Sequence, residues 1–134
     1  MKISLIKQYS VFLPNTPGAL ADLAKRFSDQ KINIIGLSSE VRDDSALVRV
    51  ALDGEHDYSA VLSKAGFASV ESKMISVEVD DKPGELHRVT KALGEGGVNI
   101  TNVYGTATGG QLSRLLIAAE NTDKALKALE RLQS

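Results

Sequence analysis

NTPGALADLAKRFSDQKINI, residues 15–34, returns as DKPGELHRVTKALGEGGVNI, residues 81–100. The offset is constant: 66 residues separate Pro17 from Pro83, and 66 separate Asn33 from Asn99, with no gap between. When the window is widened to residues 7–34 against 73–100, nine of 28 positions are identical: Lys7, Ser10, Val11, Pro17, Gly18, Leu20, Lys25, Asn33 and Ile34 with their partners. Others change only in size, as in Leu13 to Val79, Leu23 to Val89 and Phe27 to Leu93. The chain is therefore a duplicated unit, and the repeat constrains the fold before local propensity does.

Each copy reads as strand, tight polar loop, helix, strand. Tyr9, Val11 and Leu13 alternate, as do Ile75, Val77 and Val79, which marks a half-buried strand. A polar residue follows, Asn15 or Asp81, then a Pro-Gly pair. Proline suits the first turn of a helix, where its missing N–H is no loss. Leu20, Leu23, Ala24 and Phe27 then recur at helical spacing, as do Leu86, Val89 and Leu93. Gln30-Lys31 and Gly96-Gly97 stop the two helices, and Ile32-Asn33-Ile34 and Val98-Asn99-Ile100 open new strands.

This pattern resembles the ACT domain family, whose D/N-x-P-G-x-L start and hydrophobic-N-I return both occur twice here at the expected spacing. The resemblance covers nearly the whole chain as a tandem pair. It implies a ferredoxin-like βαββαβ fold and the binding of small effectors, usually amino acids.

Length and composition agree with a shared architecture. The chain has 134 residues; units of roughly 67 residues bury only about 60% of their unfolded surface, so each alone would be marginal. A net charge of −1 gives no field for nucleic acid or an anionic membrane. There is no cysteine, hence no disulfide framework and no thiolate metal site. The opening MKISLIKQ is charged early and alternates, unlike a signal peptide, and no apolar run approaches transmembrane length. A cytoplasmic protein is expected.

In chain order, residues 1–13 read as a long strand ended by Pro14, with Ile3, Leu5, Tyr9, Val11 and Leu13 on one face, interrupted by Lys7. A helix is expected over residues 17–30, strands over 32–41 and 46–52, and a short helix over 57–65 capped by Gly66. The second long strand spans 67–79, with a kink near Ser72-Lys73; a helix over 83–95, strands over 98–107 and 112–119 and a closing helix over 123–132 follow. The second copy lacks a closing strand, whereas the first has six surplus residues at its start, matched by offset to residues 67–72. This predicts a swap, with residues 1–6 closing the second unit's sheet and 67–72 closing the first's. The expected fold is α+β: two ferredoxin-like ACT units, residues 1–66 and 67–134, sharing one antiparallel sheet with the helices on one face.

The loop-to-helix starts are the main candidate sites. A helix N-terminus offers unpaired N–H groups and a partial positive charge, and Gly18 has no side chain to block approach. The candidates are Asn15, Thr16, Pro17, Gly18, Ala19 and Leu20 in the first copy, and Asp81, Lys82, Pro83, Gly84, Glu85 and Leu86 in the second. The alternative is that Asn15 and Asp81 merely cap their own helices. The family resemblance adds Asn33 with Ile34 and Asn99 with Ile100, because in serine-binding members both the loop asparagine and the N-I asparagine touch the effector. Satisfying nearby loop backbone is an equally open role for Asn33 and Asn99. Asp81 is an anion where Asn15 is neutral, so the first start suits a carboxylate better. His56 and His87 have no counterparts in the other copy and read as surface or packing residues; Tyr104 and Arg114 could border a pocket, but nothing in the pattern demands it.

No catalytic set, Walker-type loop, metal motif or cofactor signature is visible. Three Phe, three Tyr and no Trp leave an RNA-recognition surface without its stacking aromatics, so no nucleic-acid or membrane partner is expected. The expectation is a non-catalytic regulatory protein that binds an amino-acid effector and assembles as a homodimer or larger through its open edge strands. The alternative is a regulatory or oligomerisation subunit of an amino-acid biosynthetic enzyme. Small subunits of acetolactate synthase begin with a similar ACT unit, but their second domain does not repeat the first, as it does here.

Overall fold

The computed structural model describes residues 1–53, 57–107 and 109–133. The repeat appears as β1 (Lys2–Pro14), α1 (Ala19–Asp29), β2 (Ile34–Arg42), β3 (Ser45–Leu52) and α2 (Ser59–Lys64), then β4 (Ala68–Asp80), α3 (Glu85–Glu95), β5 (Ile100–Ala107), β6 (Leu112–Ala119) and α4 (Thr122–Gln133). The strands are hydrogen-bonded in the order β2-β3-β1 in the first half of the chain and β4-β6-β5 in the second. The chain divides into two compact units: Ile6–Ser72, the first unit here, and Met1–Leu5 together with Lys73–Ser134, the second.

In the first unit β1 pairs antiparallel with β3, and β3 with β2. Period-two alternation sends Tyr9, Val11 and Leu13 of β1 and Val48, Val50 and Leu52 of β3 to one face, where Leu23 and Phe27 of α1 and Leu62 of α2 cover them. Each such side chain, fully buried, contributes roughly 1.5–3 kcal/mol. Tyr9 is fully buried, and its hydroxyl accepts the Tyr58 N–H at 2.8 Å, which holds the approach to α2. Lys7, which interrupts the apolar face, pairs with Glu71 at 2.9 Å.

The second unit repeats this plan. Ile75, Val77 and Val79 of β4 and Leu115 and Ile117 of β6 lie under Val89 and Leu93 of α3 and Ala125, Ala128 and Leu129 of α4. Ile3 and Leu5 pack against this core, not against that of the first unit. The edge strands carry the same irregularity in both units, between Ile34 and Gly36 and between Ile100 and Asn102.

The helices begin later than the proline rule predicts. Pro17 and Pro83 sit in turns, not in the first helical turn, because Gly18 (φ 86°) and Gly84 (φ 96°) are left-handed and stand at the N-cap. The helix ends match closely as well. Lys31 (φ 58°) and Gly97 (φ 71°) are left-handed, and the Ile32 and Val98 N–H groups return to the Phe27 and Leu93 carbonyls at 2.9 Å. Those bonds keep residues 32 and 98 out of the ladder, so β2 and β5 start two residues after the expected positions. At α2 the reading of Gly66 as a cap holds: its φ is 85°, and the Phe67 N–H reaches the Leu62 carbonyl at 2.9 Å. β4 runs unbroken through Ser72 and Lys73, where a kink was expected, and the boundary between the units falls there.

Candidate functional site

Each helix start is built from a strand end, a Pro-Gly turn and the tip of a neighbouring hairpin. In the first unit the Asn15 N–H donates to the Asp44 carbonyl at 2.8 Å and the Thr16 N–H to Pro14 at 3.0 Å. In the second, Asp81 donates to Gln111 at 2.8 Å and Lys82 to Asp80 at 3.0 Å. Neither helix has a side-chain cap, so Asn15 and Asp81 do not serve as the N-caps the sequence allowed. The Ala19 N–H is spent on the Thr16 carbonyl at 3.3 Å. The Gly18 and Leu20 N–H groups have no acceptor among the described residues, nor have those of Gly84, Glu85 and Leu86. A Cβ built on Gly18 or Gly84 meets nothing within 4 Å, so both starts are open to solvent.

The two starts differ in charge. Glu85 is only 8% exposed, where its counterpart Ala19 is apolar. Its carboxylate accepts from Arg88 Nη2 at 2.7 Å and lies 3.9 Å from Lys82. The Arg88 hydrogen bond holds the Glu85 carboxyl below its ordinary 4.5 against the opposing effect of burial. The start of α3 thus carries an anion at its first residue, whereas the acid in the first turn of α1 is Asp22, at the position of Arg88, which faces Arg26 at 3.7 Å.

Asn33 and Asn99 lie at the other end of the helices. The Asn33 carbonyl accepts from the Asp53 N–H at 3.5 Å, and that of Asn99 from Glu120 at 3.1 Å. Asn99 Nδ2 also donates to Glu120 at 3.2 Å. Asn33 and Ile34 line an open groove of about 460 Å³ with Phe27, Ser28 and Lys31. A helix of 11 residues such as α1 is about 16 Å long. Within one unit the loop residues 15–20 and Asn33 therefore flank opposite helix ends, as do residues 81–86 and Asn99, and the predicted set does not converge.

Of the other candidates, Tyr104 Oη lies 3.7 Å from Met74 Sδ, and Arg114 pairs with Glu78 at 2.7 Å. His87 is exposed on α3, and His56 lies outside the described residues. No group of three or more metal-ligating side chains and no helix long and apolar enough to cross a membrane occurs among the described residues. A cleft lined by Met1, Lys2, Asp80 and Arg88 is not among the sites the sequence pattern marks. These residues are far apart in the chain, and the signal for them is a difference in charge between the copies.

The ACT domain model matches residues 10–65 and again residues 73–133. The chain belongs to the ACT domain family. Its two ACT units follow the plan of several solved structures. Protein BT0572 from Bacteroides thetaiotaomicron has a TM-score of 0.87 at 24% identity, with 98% of this chain and 90% of that one covered. The regulatory subunit of aspartate kinase from Thermus thermophilus, in its ligand-free form, has a TM-score of 0.64 at 17% identity, with 98% and 96% covered. E. coli aspartokinase III in complex with lysine and aspartate has a TM-score of 0.57 at 13% identity; this chain is covered in full and that one over 33%. At these identities the likeness is one of fold. Among curated proteins none matches the chain.

Proposed function

We propose that this tandem ACT protein is a non-catalytic regulator that binds an amino-acid effector at its loop-to-helix starts. The observation that carries the reading is the open start of α1: a left-handed Gly18 with no side-chain cap leaves N–H groups turned to solvent. Such groups favour a carboxylate, helped by the helix dipole. The likeness to an aspartokinase solved with lysine and aspartate agrees with an amino-acid effector.

The placement of the two asparagines adds an assembly to this reading. Loop residues 15–20 and Asn33 reach one effector only if they come from different units or copies. Two copies paired antiparallel along the β2 edge would bring the start of one α1 to the end of the other. That edge bears the exposed Leu37 and Val41, with Leu20 on α1 also exposed. On this reading the protein is a homodimer or larger. A thermal-shift screen of the twenty amino acids, with light scattering at micromolar concentration, tests both parts. A stabilising amino acid and a dimeric mass support the reading; no response to any of the twenty, or a monomeric mass with and without ligand, overturns it.

A second reading is a regulatory subunit of an amino-acid biosynthetic enzyme, favoured by the likeness to a regulatory subunit of aspartate kinase. Stable co-purification of a kinase or other biosynthetic enzyme without added amino acid would favour it.

A further inference from the structure

A cleft of about 270 Å³ opens in the first unit between the end of α1 and α2, lined by Arg26, Asp29 and Gln30 on one side and by Ala60, Val61, Lys64 and Ala65 on the other. The repeat explains why the first copy has it. α1 maps onto α3 at an offset of 66 residues. α2 maps onto α4 at 67, because Val50 and Ile117 hold the same place in their ladders, opposite Tyr9 and Ile75. Gln30 and Val61 thus correspond to Gly96 and Ala128. A Cβ added to Gly96 would come within 2.9 Å of the Ala128 Cβ, so in the second unit the two helices touch there. The larger Gln30 and Val61 hold α1 and α2 apart.

The charges on the cleft are unequal. Asp29 is held by Lys25 at 2.8 Å. Arg26 lies 3.7 Å from Asp22, too far for a hydrogen bond, and Lys64 makes no hydrogen bond or salt bridge among the described residues. A cation in the last turn of a helix complements its macrodipole. The fold does not require one at Arg26, however: α3 ends without a basic residue, and Ala92 stands at that position. Two cations from different helices, with unused N–H donors, therefore face one cleft beside the neutral amide of Gln30. A cationic ligand would meet both of them. A dianion with several acceptor oxygens matches the pair better than a single carboxylate does.

We infer that this cleft is a binding site for a phosphate group. Two oxygens accept from the Arg26 guanidinium and another from Lys64, with the Gln30 amide as a further donor. Ala60, Val61 and Ala65 leave an uncharged wall for a short ester group. The volume falls below the roughly 300 Å³ at which drug-sized sites begin, which limits the occupant to free phosphate or a small phosphate ester. The cleft lies at the end of α1 remote from Gly18, and the inference does not rest on the loop sites proposed above.

The test is an amide-resolved NMR titration of the full chain with inorganic phosphate and with methyl phosphate, at constant ionic strength in chloride, with acetate as the control of single charge. Shifts over residues 26–31 and 60–66 that saturate below about 10 mM are expected with both phosphates and not with acetate. Tighter binding of methyl phosphate would identify the occupant as an ester, and equal or weaker binding as the free ion; either supports the site. Arg26→Gln and Lys64→Gln, both at exposed positions, should each weaken binding about tenfold with the dispersion of the spectrum unchanged. Equal shifts with acetate, no shift up to about 10 mM, or unchanged affinity in the Arg26→Gln/Lys64→Gln double variant would overturn the inference. Phosphate shifts confined to the helix starts, residues 15–20 and 84–86, would overturn it too and leave the loop reading standing. Gly18→Asn is the converse control: it should disturb the α1 start and leave this titration as it was.

Discussion

Lys31 stands at φ 58° at the end of α1, a conformation that costs a side-chain-bearing residue roughly 1–2 kcal/mol. Its counterpart in the second unit is Gly97. Lys31→Gly is therefore expected to stabilise the protein by about 0.5–1 kcal/mol once the greater freedom of glycine in the unfolded chain is counted; the urea midpoint checks this. At Gly18 the same geometry governs how the loop is probed. The Cβ of a valine there meets no neighbour, but the residue is strained by the positive φ, so loss of binding in Gly18→Val would mix two causes. Asparagine accepts the left-handed region and still covers the free N–H groups. Gly18→Asn is expected to remove amino-acid binding at α1 with little change in stability, and Gly84→Asn to matter less, because Glu85 already supplies an anion there. Calorimetry on the two variants decides, and the reverse order would assign the effector to the second unit. The roles of residues 18 and 31 were only half legible in sequence. Pro-Gly marks a turn, but whether glycine stands inside the helix or before it depends on its φ.

At the scale of elements, ten strands and helices follow the sequence pattern to within about two residues, because two copies report the same spacing independently. What the pattern could not give is where the backbone N–H groups go. The bonds from Ile32 and Val98 back into the preceding helices delay β2 and β5, and nothing in a hydrophobic periodicity signals them. The ends of β1 carry the clearest element-level prediction. Ile3 and Leu5 pack against the second unit's core, and Met1–Leu5 belongs to that unit. We propose that residues 1–6 act as its closing strand. Deleting them is expected to speed hydrogen exchange along residues 75–79, because two partly buried apolar side chains and a stretch of ladder are lost together. Faster exchange restricted to residues 7–13 would reject that role.

For the molecule as a whole, the duplication set the fold, and divergence between the copies set the charges, which now govern how stability depends on pH. The carboxyls of Glu40, Glu78 and Glu85 are held below their ordinary 4.5, in each case first by a hydrogen bond from an arginine: Arg49, Arg114 and Arg88. Asp57 lies below its ordinary 3.8, first through the Ser59 hydroxyl. A carboxyl depressed in the folded state contributes stability that is present above its unfolded value and is lost as the pH falls through the folded one. Lys7 is raised above 10.5, first by its hydrogen bond to Glu71, and Tyr9 above 10.0, first by burial. Raised groups act in the opposite sense: their contribution is present below the unfolded value and is lost as the pH rises through the folded one. The denaturation midpoint is therefore expected to be level from about pH 6 to 9, to fall below about pH 4 and to fall again above about pH 10. Tyr9→Phe removes one group from the alkaline limb, and Glu40→Gln one from the acid limb. Each substitution should make its own limb shallower and leave the other unchanged. A Glu40→Gln profile with an unaltered acid limb would show that its ion pair with Arg49 contributes nothing to that loss.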